Sequence, residues 1–378
     1  MKVIYISQGN IPSKWAHTFQ AMKMAEALTG QVNSLSLLTG GSFLPCQLHN
    51  ISLTDWYGVP CSFKVIRLPV HLRVREQFFS KYRYPNFDRL AALYAKFTNP
   101  DFIFTRSPYA GRLCVQLKLN TMIETHIETE HPEFQHILTV CQEPFFKGLI
   151  TVTNYLKTKY IKAGIPDSKI LVWPDAVELS MFSNLSSSSV LREELGLPCI
   201  TKIATYCGHL YDSKGVQHVI AAAKELPDIL FCLVGGWDRD IERCQKLAKG
   251  IENIHFAGFV PNQQVPKYLA ASDFLLLPNS MNHELAYSTS PLKLFEYMAA
   301  RRPVIASNIP ALQGFLRHGE NAFLIEPDSS DAIAFALRVL IQNPELSTQM
   351  VEQAWQDVQQ FTWTNRAKDI LNYFQINS

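Results

Sequence analysis

The 378-residue chain is 47% hydrophobic and 18% charged, which excludes a disordered polypeptide and leaves room for two domains of ordinary size. A formal net charge of +2 gives no general case for nucleic-acid binding, and no stretch reaches the roughly 18 uninterrupted apolar residues of a membrane-spanning helix. The charge is unevenly spread: residues 1–185 carry 19 Lys+Arg against 13 Asp+Glu (+6), and the remainder 16 against 20 (−4). A basic first half suits an anionic acceptor or membrane surface, or is simply a solvated face. The eight cysteines form no C-x-x-C pair, and Cys207 and Cys232 fall inside apolar runs, so we expect reduced, structural thiols and no metal site. The opening MKVIYISQGN carries too short an apolar run for a signal peptide. Both features point to the cytoplasm.

In chain order, Lys2–Ser7 reads as a strand, Gln8–Lys14 as a polar loop, Trp15–Leu28 as a helix and Val32–Leu38 as a strand broken by Gly40-Gly41. Phe63–Leu68 is a further strand, followed by the aromatic-basic run His71–Arg89 and a helix over Leu90–Phe97. Phe102–Thr105, Thr121–Glu124, Gly148–Val152 and Ile170–Val172 are strands, with a helix over Gly111–Leu119. Strands alternating with helices predict a doubly wound α/β domain over 1–182. The serine-rich stretch 183–189 reads as a linker. The pattern then restarts over 190–360. Strands at Lys202–Cys207, Ile229–Val234, Ile254–Phe256 and Phe274–Leu277 alternate with helices at Val216–Glu225, Ile241–Lys249 and Val265–Ala271. Over 361–378 a final amphipathic helix, Asn365–Phe374, is expected to pack back on the first domain.

The stretch Ser288–Ser307, STSPLKLFEYMAARRPVIAS, holds a loop, a helix and a buried strand. Ser290 is the expected N-cap and Pro291 the first helical residue. Glu296 then falls in the second turn, near a helix start that favours anions. A carboxylate there suits a ligand carrying both a diol and a phosphate; the same residues also read as an ordinary amphipathic helix. Gly208, directly after a strand, lets the backbone turn sharply toward a ligand. Lys214 supplies an ammonium six residues on, placed to neutralise a diphosphate.

Taken in order, Tyr206–Leu210 with Lys214–Val216, Leu233–Gly236, His255–Val260, Ala271–Pro278 and Ser290–Ser307 resemble retaining glycosyltransferases of the GT-B fold, family 4 type. The resemblance covers most of residues 200–375; in the first half Ile150–Tyr155 with Trp173–Glu178 and Phe182 resembles the family's approach to the domain junction, and the loop Ile11–His17 resembles it more weakly. It implies two Rossmann-like domains facing each other across a cleft. It also implies metal-independent transfer of a sugar from a nucleoside diphosphate sugar to an acceptor hydroxyl with retention, and no bound cofactor. Lys214 and His126 are the implied catalytic residues. Gly208, His209, Lys214, Ser290 and Leu292 are implied at the donor diphosphate, and Glu296, Phe259 and Val260 at the nucleoside. Lys14, His17 and Arg106 are candidates toward the acceptor or the closing loop.

Two departures stand out. His209 occupies the family's arginine position, and Ser288 replaces the first glutamate of its E-x7-E motif, with Glu284 a candidate substitute. The run with Phe78, Phe79, Lys81, Tyr82, Arg83 and Tyr84 is the candidate contact to an acceptor or, at the inner membrane face, to lipid. The acceptor is a glycan, a lipid or a small molecule. A sugar-nucleotide epimerase and a non-catalytic glycosyltransferase-like partner subunit stay open, whereas the missing G-x-G-x-x-G after Ile6 argues against a dinucleotide oxidoreductase.

Overall fold

In the computed structural model, which describes residues 1–42, 52–71 and 85–376, the chain divides into two units. Met1–Pro174 with Trp363–Ser378 form the first, and Asp175–Thr362 the second.

The first unit runs β1 (Lys2–Asn10), α1 (Ala16–Thr29), β2 (Ser34–Ser42), α2 (Leu53–Tyr57), β3 (Lys64–His71), α3 (Pro85–Thr98), β4 (Phe102–Thr105), α4 (Pro108–Gln116), β5 (Thr121–Glu124), α5 (Phe134–Leu138), β6 (Phe146–Thr151), α6 (Asn154–Lys162) and β7 (Ile170–Val172). Its strands pair in parallel in the order β3-β2-β1-β4-β5-β6-β7. Both faces of the central strands are covered, which is why they read as unbroken apolar runs. Ile4, Ile6 and Ile103 pack toward Phe87 and Ala91 of α3.

The second unit runs α7 (Ser188–Glu194), β8 (Lys202–Cys207), α8 (Val216–Glu225), β9 (Ile229–Val234), α9 (Asp238–Leu247), β10 (Ile254–Gly258), α10 (Val265–Ala271), β11 (Phe274–Leu277), α11 (Leu285–Ser288), α12 (Leu292–Ala299), β12 (Val304–Ser307), β13 (Phe323–Ile325), α13 (Ser330–Gln342) and α14 (Pro344–Val358). Its parallel sheet has the order β10-β9-β8-β11-β12-β13. Alternation is strict across it. Ile203, Cys207, Cys232, Val234, Leu275 and Leu277 join one core, while Ala204, Tyr206, Phe231, Leu233, Phe274 and Leu276 join the other. In each sheet the direction of winding reverses once, between β1 and β4 and between β8 and β11. Open α/β sheets bind ligands outside the carboxyl ends at such points.

The last helix, α15 (Trp363–Ile376), belongs to the first unit, where Phe374 lies 4.2 Å from the Phe102 ring of β4. The units exchange chain at Pro174/Asp175 and Thr362/Trp363, so the serine run 183–189, read as a linker from its composition, lies inside the second unit. There Ser188 opens α7, which buries Leu191 and pins Arg192 to Asp273 at 2.6 Å. Gly40-Gly41 does not break β2. A Cβ on Gly41 would stand 2.8 Å from that of Arg67, so glycine there admits the neighbouring strand. Helix α4 starts at Pro108, three residues early, because Ser107 caps it by accepting from the Ala110 N–H at 3.1 Å. The residues Phe78, Phe79, Lys81, Tyr82, Arg83 and Tyr84 lie outside the described residues. Among the described residues no helix is long and apolar enough to cross a membrane.

Candidate functional site

In the second unit the loops after β8, β9 and β10 are laced at their glycines. The Gly208 N–H donates to Val234 O at 2.8 Å, and the Gly235 N–H to Gly258 O at 2.7 Å. A Cβ on Gly235 would sit 2.4 Å from Gly208 O, so these tips close only without side chains. At Gly215 (φ +71°) a Cβ would stand 1.7 Å from Pro278 O, pressing the β8 loop onto the end of β11. Lys214 is held between these fixed glycines, half-buried. Burial lowers its pKa, with no opposing carboxylate among the described residues.

His209 stacks nearly parallel on Tyr211 (4.9 Å, 12°) and Trp237 (5.9 Å, 13°). The Tyr206 hydroxyl donates to its carbonyl at 2.6 Å. Burial, and then the positive charges of Lys214 and Lys293, hold its pKa below the ordinary histidine value. The ring in the family's arginine position is therefore neutral at physiological pH. The charge lacking there is present on Lys293, in the first turn of α12. Its Nζ lies 2.7 Å from Glu296 Oε2, with the Cys207 side chain nearby. Burial works against this ammonium, but Cys207 and Glu296 more than offset it and hold its pKa above that of an ordinary lysine. Burial pushes the thiol itself up to about 11. Helix α12 is tied to the end of β8 by the Cys207 N–H, which donates to the buried Tyr297 hydroxyl at 2.8 Å.

The start of α12 differs from expectation. Ser290 does not cap it, because its hydroxyl accepts from the Asp175 N–H at 2.8 Å; Pro291 takes the N-cap position and Leu292 is the first helical residue. Among the described residues no side chain caps this end, and the amides of Leu292 and Lys293 are the first-turn donors with no intrahelical partner. The Thr289 amide is spent on Leu285 O at 3.0 Å. Ser288 is buried and donates to Glu284 O at 3.3 Å, while Glu284 is exposed at the start of α11. Phe259 is exposed after β10, and Val260 packs partly against the core.

In the first unit, β1, β4 and β5 are neighbours, so the residues that follow them share one edge. Lys14 is exposed in the loop after β1 and His17 is exposed in the first turn of α1. At the end of β5, the side chain of Glu124 is fully buried. Its Oε1 accepts from Gln20 Nε2 at 2.9 Å, contacts His126 Nε2 at 3.1 Å and lies 3.8 Å from Arg106 Nε. Arg106, after β4, also donates to Gln20 Oε1. The structure thus brings His126 and Arg106 together around one carboxylate.

Residues 188–357 match the family described as Glycosyl transferases group 1. The second unit belongs to that family. Among curated relatives, a phosphatidyl-myo-inositol mannosyltransferase of Mycobacterium leprae is 29% identical over 53% of this chain and 54% of its own length. The chain spans about half the length of the curated relatives it matches. Over nearly the whole chain, the sucrose-phosphate synthase of Thermosynechococcus elongatus superposes with a TM-score of 0.79 (18% identity, covering 99% of this chain and 98% of that one). Anabaena HepE, solved in complex with UDP, superposes with 0.76 (16% identity, 100% of each chain). The chain has the GT-B fold.

Within the second unit, Gly208, His209, Lys214, Leu292 and Glu296 gather near the carboxyl end of β8. Ser290 is committed to Asp175. The i,i+3 spacing of Lys293 to Glu296 is visible in the sequence, but its other neighbours, Cys207 at the end of β8 and His209 in the loop after it, lie far away in the chain. Glu124 was likewise missed as part of a site; a carboxylate ending a strand two residues before a histidine was the available signal for it.

Proposed function

We propose that this protein is a glycosyltransferase moving a sugar from a nucleoside diphosphate sugar to an acceptor hydroxyl, with retention and without a resident metal ion. The observation that carries the reading is the pair of lysines around a neutral His209 at the carboxyl edge of the second sheet, one of them ion-paired to Glu296. The solved complexes of HepE with UDP and UDP-glucose support a diphosphate nucleotide as ligand. Glu296, with one oxygen on Lys293, accepts from the ribose diol through the other. Lys214, Lys293 and the open amide of Leu292 take the diphosphate, and Phe259 and Val260 take the base. As the anomeric C–O bond to the diphosphate breaks, these groups stabilise the charge on the departing oxygen. The acceptor oxygen bonds to the anomeric carbon, and its proton passes to that departing oxygen. In the first unit, His126 is the catalytic candidate and Arg106, Lys14 and His17 serve the acceptor side.

The acceptor is a glycan, a lipid or a small molecule. An apolar stripe on α3, with Leu90 and Leu93 exposed and Phe97 88% exposed, supports a peripheral membrane contact on the cytoplasmic side. Ser288, buried and bonded to its own helix, favours a second reading, a non-catalytic partner subunit. Transfer assays with UDP-, GDP- and ADP-sugars on the parent and on Lys214→Ala separate the two. Turnover lost in Lys214→Ala is expected. Undiminished turnover removes Lys214 from the reaction, and no turnover with any donor favours the non-catalytic reading.

A further inference from the structure

We infer that Arg366, on α15, is a positioning residue for His126, acting through Glu124 to fix which ring nitrogen carries the proton. The inference rests on the proposed role of His126.

Glu124 ends β5 with no exposed side-chain surface, and a buried carboxylate persists only with counter-charge and donors around it. One oxygen serves Gln20, His126 and the more distant Arg106. The other faces Arg366 Nη2 at 3.1 Å, a contact of charge rather than of aligned hydrogen bonding. Arg366 is itself completely buried. Its Nε donates to Pro174 O at 3.0 Å and its Nη1 points to Met24 Sδ at 3.4 Å. The rings of Trp173 and Trp363 each lie with centroids 6.0 Å from its guanidinium. Trp173 is fixed in turn by its indole N–H, which donates to Asp369 Oδ2 on the same helix at 2.9 Å. The guanidinium therefore has no freedom to leave the carboxylate.

The consequence for His126 is chemical. Burial alone would raise the Glu124 pKa, but Arg366 and the other donors hold it well below the usual carboxylate range, so the group is ionised and can only accept. The hydrogen on the 3.1 Å contact must then be on His126 Nε2. In the neutral ring Nδ1 is left as an acceptor, with no partner among the described residues and with a quarter of the side chain exposed. His126 is thereby set to receive a hydroxyl hydrogen of the acceptor or the sugar. A buried ion pair is a poor device for stability alone, since a well-packed apolar pair does as well or better. Its presence at the ligand-binding edge of the sheet is explained by this second task.

The test compares Arg366→Met, Arg366→Lys, Glu124→Gln and His126→Ala in the full chain. Nucleotide binding and melting temperature establish that each variant is folded. Arg366→Met is expected to lower kcat by about 10- to 100-fold, part of what a well-placed proton-transfer group contributes, with donor KM unchanged and partial recovery in Arg366→Lys. In histidine-15N spectra, with the His126 signal identified by its loss in His126→Ala, the parent shows the Nε2-protonated ring and Arg366→Met a mixture. Glu124→Gln, which keeps the shape but removes the charge, gives the same mixture and serves if Arg366→Met does not fold. A folded Arg366→Met with parental kcat and an unchanged tautomer overturns the inference. Full turnover in His126→Ala instead overturns the role of His126 itself, and the spectra then still decide whether Arg366 sets the tautomer.

Discussion

Lys293→Met removes the ammonium that the sequence departure at His209 makes necessary. The side chain is 24% exposed and its partner Glu296 10% exposed, so the charge acts in partly desolvated surroundings. A hydrogen bond to a charged group there is worth about 1.5–3 kcal/mol, which corresponds to about 10- to 150-fold in affinity. Losing Lys293 also releases Glu296, so raw affinity for a nucleotide would mix two effects. Titration calorimetry with nucleoside, monophosphate and diphosphate separates them, because the ratio of diphosphate to nucleoside affinity isolates the phosphate contribution. That ratio is expected to fall by about one to two decades, while nucleoside binding changes through Glu296 alone. An unchanged ratio in a folded Lys293→Met refutes the reasoning and leaves Lys293 as a clamp on Glu296.

Three further outcomes follow from named contacts. Glu296→Gln weakens nucleoside and diphosphate alike and leaves their ratio near the parental value; a selective loss of diphosphate affinity would contradict a ribose role. Gly215→Ala lowers the melting temperature by at least several degrees, since the left-handed backbone alone costs a side chain about 1–3 kcal/mol and its Cβ would also meet Pro278 O at 1.7 Å, so the backbone must move; a parental melting temperature counts against that packing. Asp88 is buried, which raises its pKa to about 6 despite donation from Gln8 and Ser107. The folded state thus binds its proton more tightly than the unfolded chain, whose aspartate titrates at about 3.9. Its stabilising contribution is complete below about 4 and is lost as pH rises through about 6. The stability difference between the parent and Asp88→Asn, followed by denaturant titration across this range, should show that loss, and a pH-independent difference removes it.

Much of both units could be read from residue pattern. Unbroken apolar runs such as Phe102–Thr105 and Phe274–Leu277 announce strands covered on both faces, and the glycines at 208 and 215 announce where backbone must approach backbone. The errors have local causes. Composition makes 183–189 a linker, yet Ser188 starts a helix once Leu191 has a core to enter. Ser290-Pro291 has the form of a cap, yet the hydroxyl is taken by Asp175, a competitor from a distant part of the chain.

Residue type and spacing by themselves determined two parallel α/β units and the strand-end positions of Gly208 and Lys214 and the helical position of Glu296, because those features depend on neighbours within a few turns or strands. The tertiary structure alone decided which charges face one another. It makes His209 neutral between two lysines and gives Glu296 its partner in Lys293. It also brings Arg366 from the last helix to the carboxylate that holds His126. Such pairings depend on distance and burial in space, which sequence spacing does not encode.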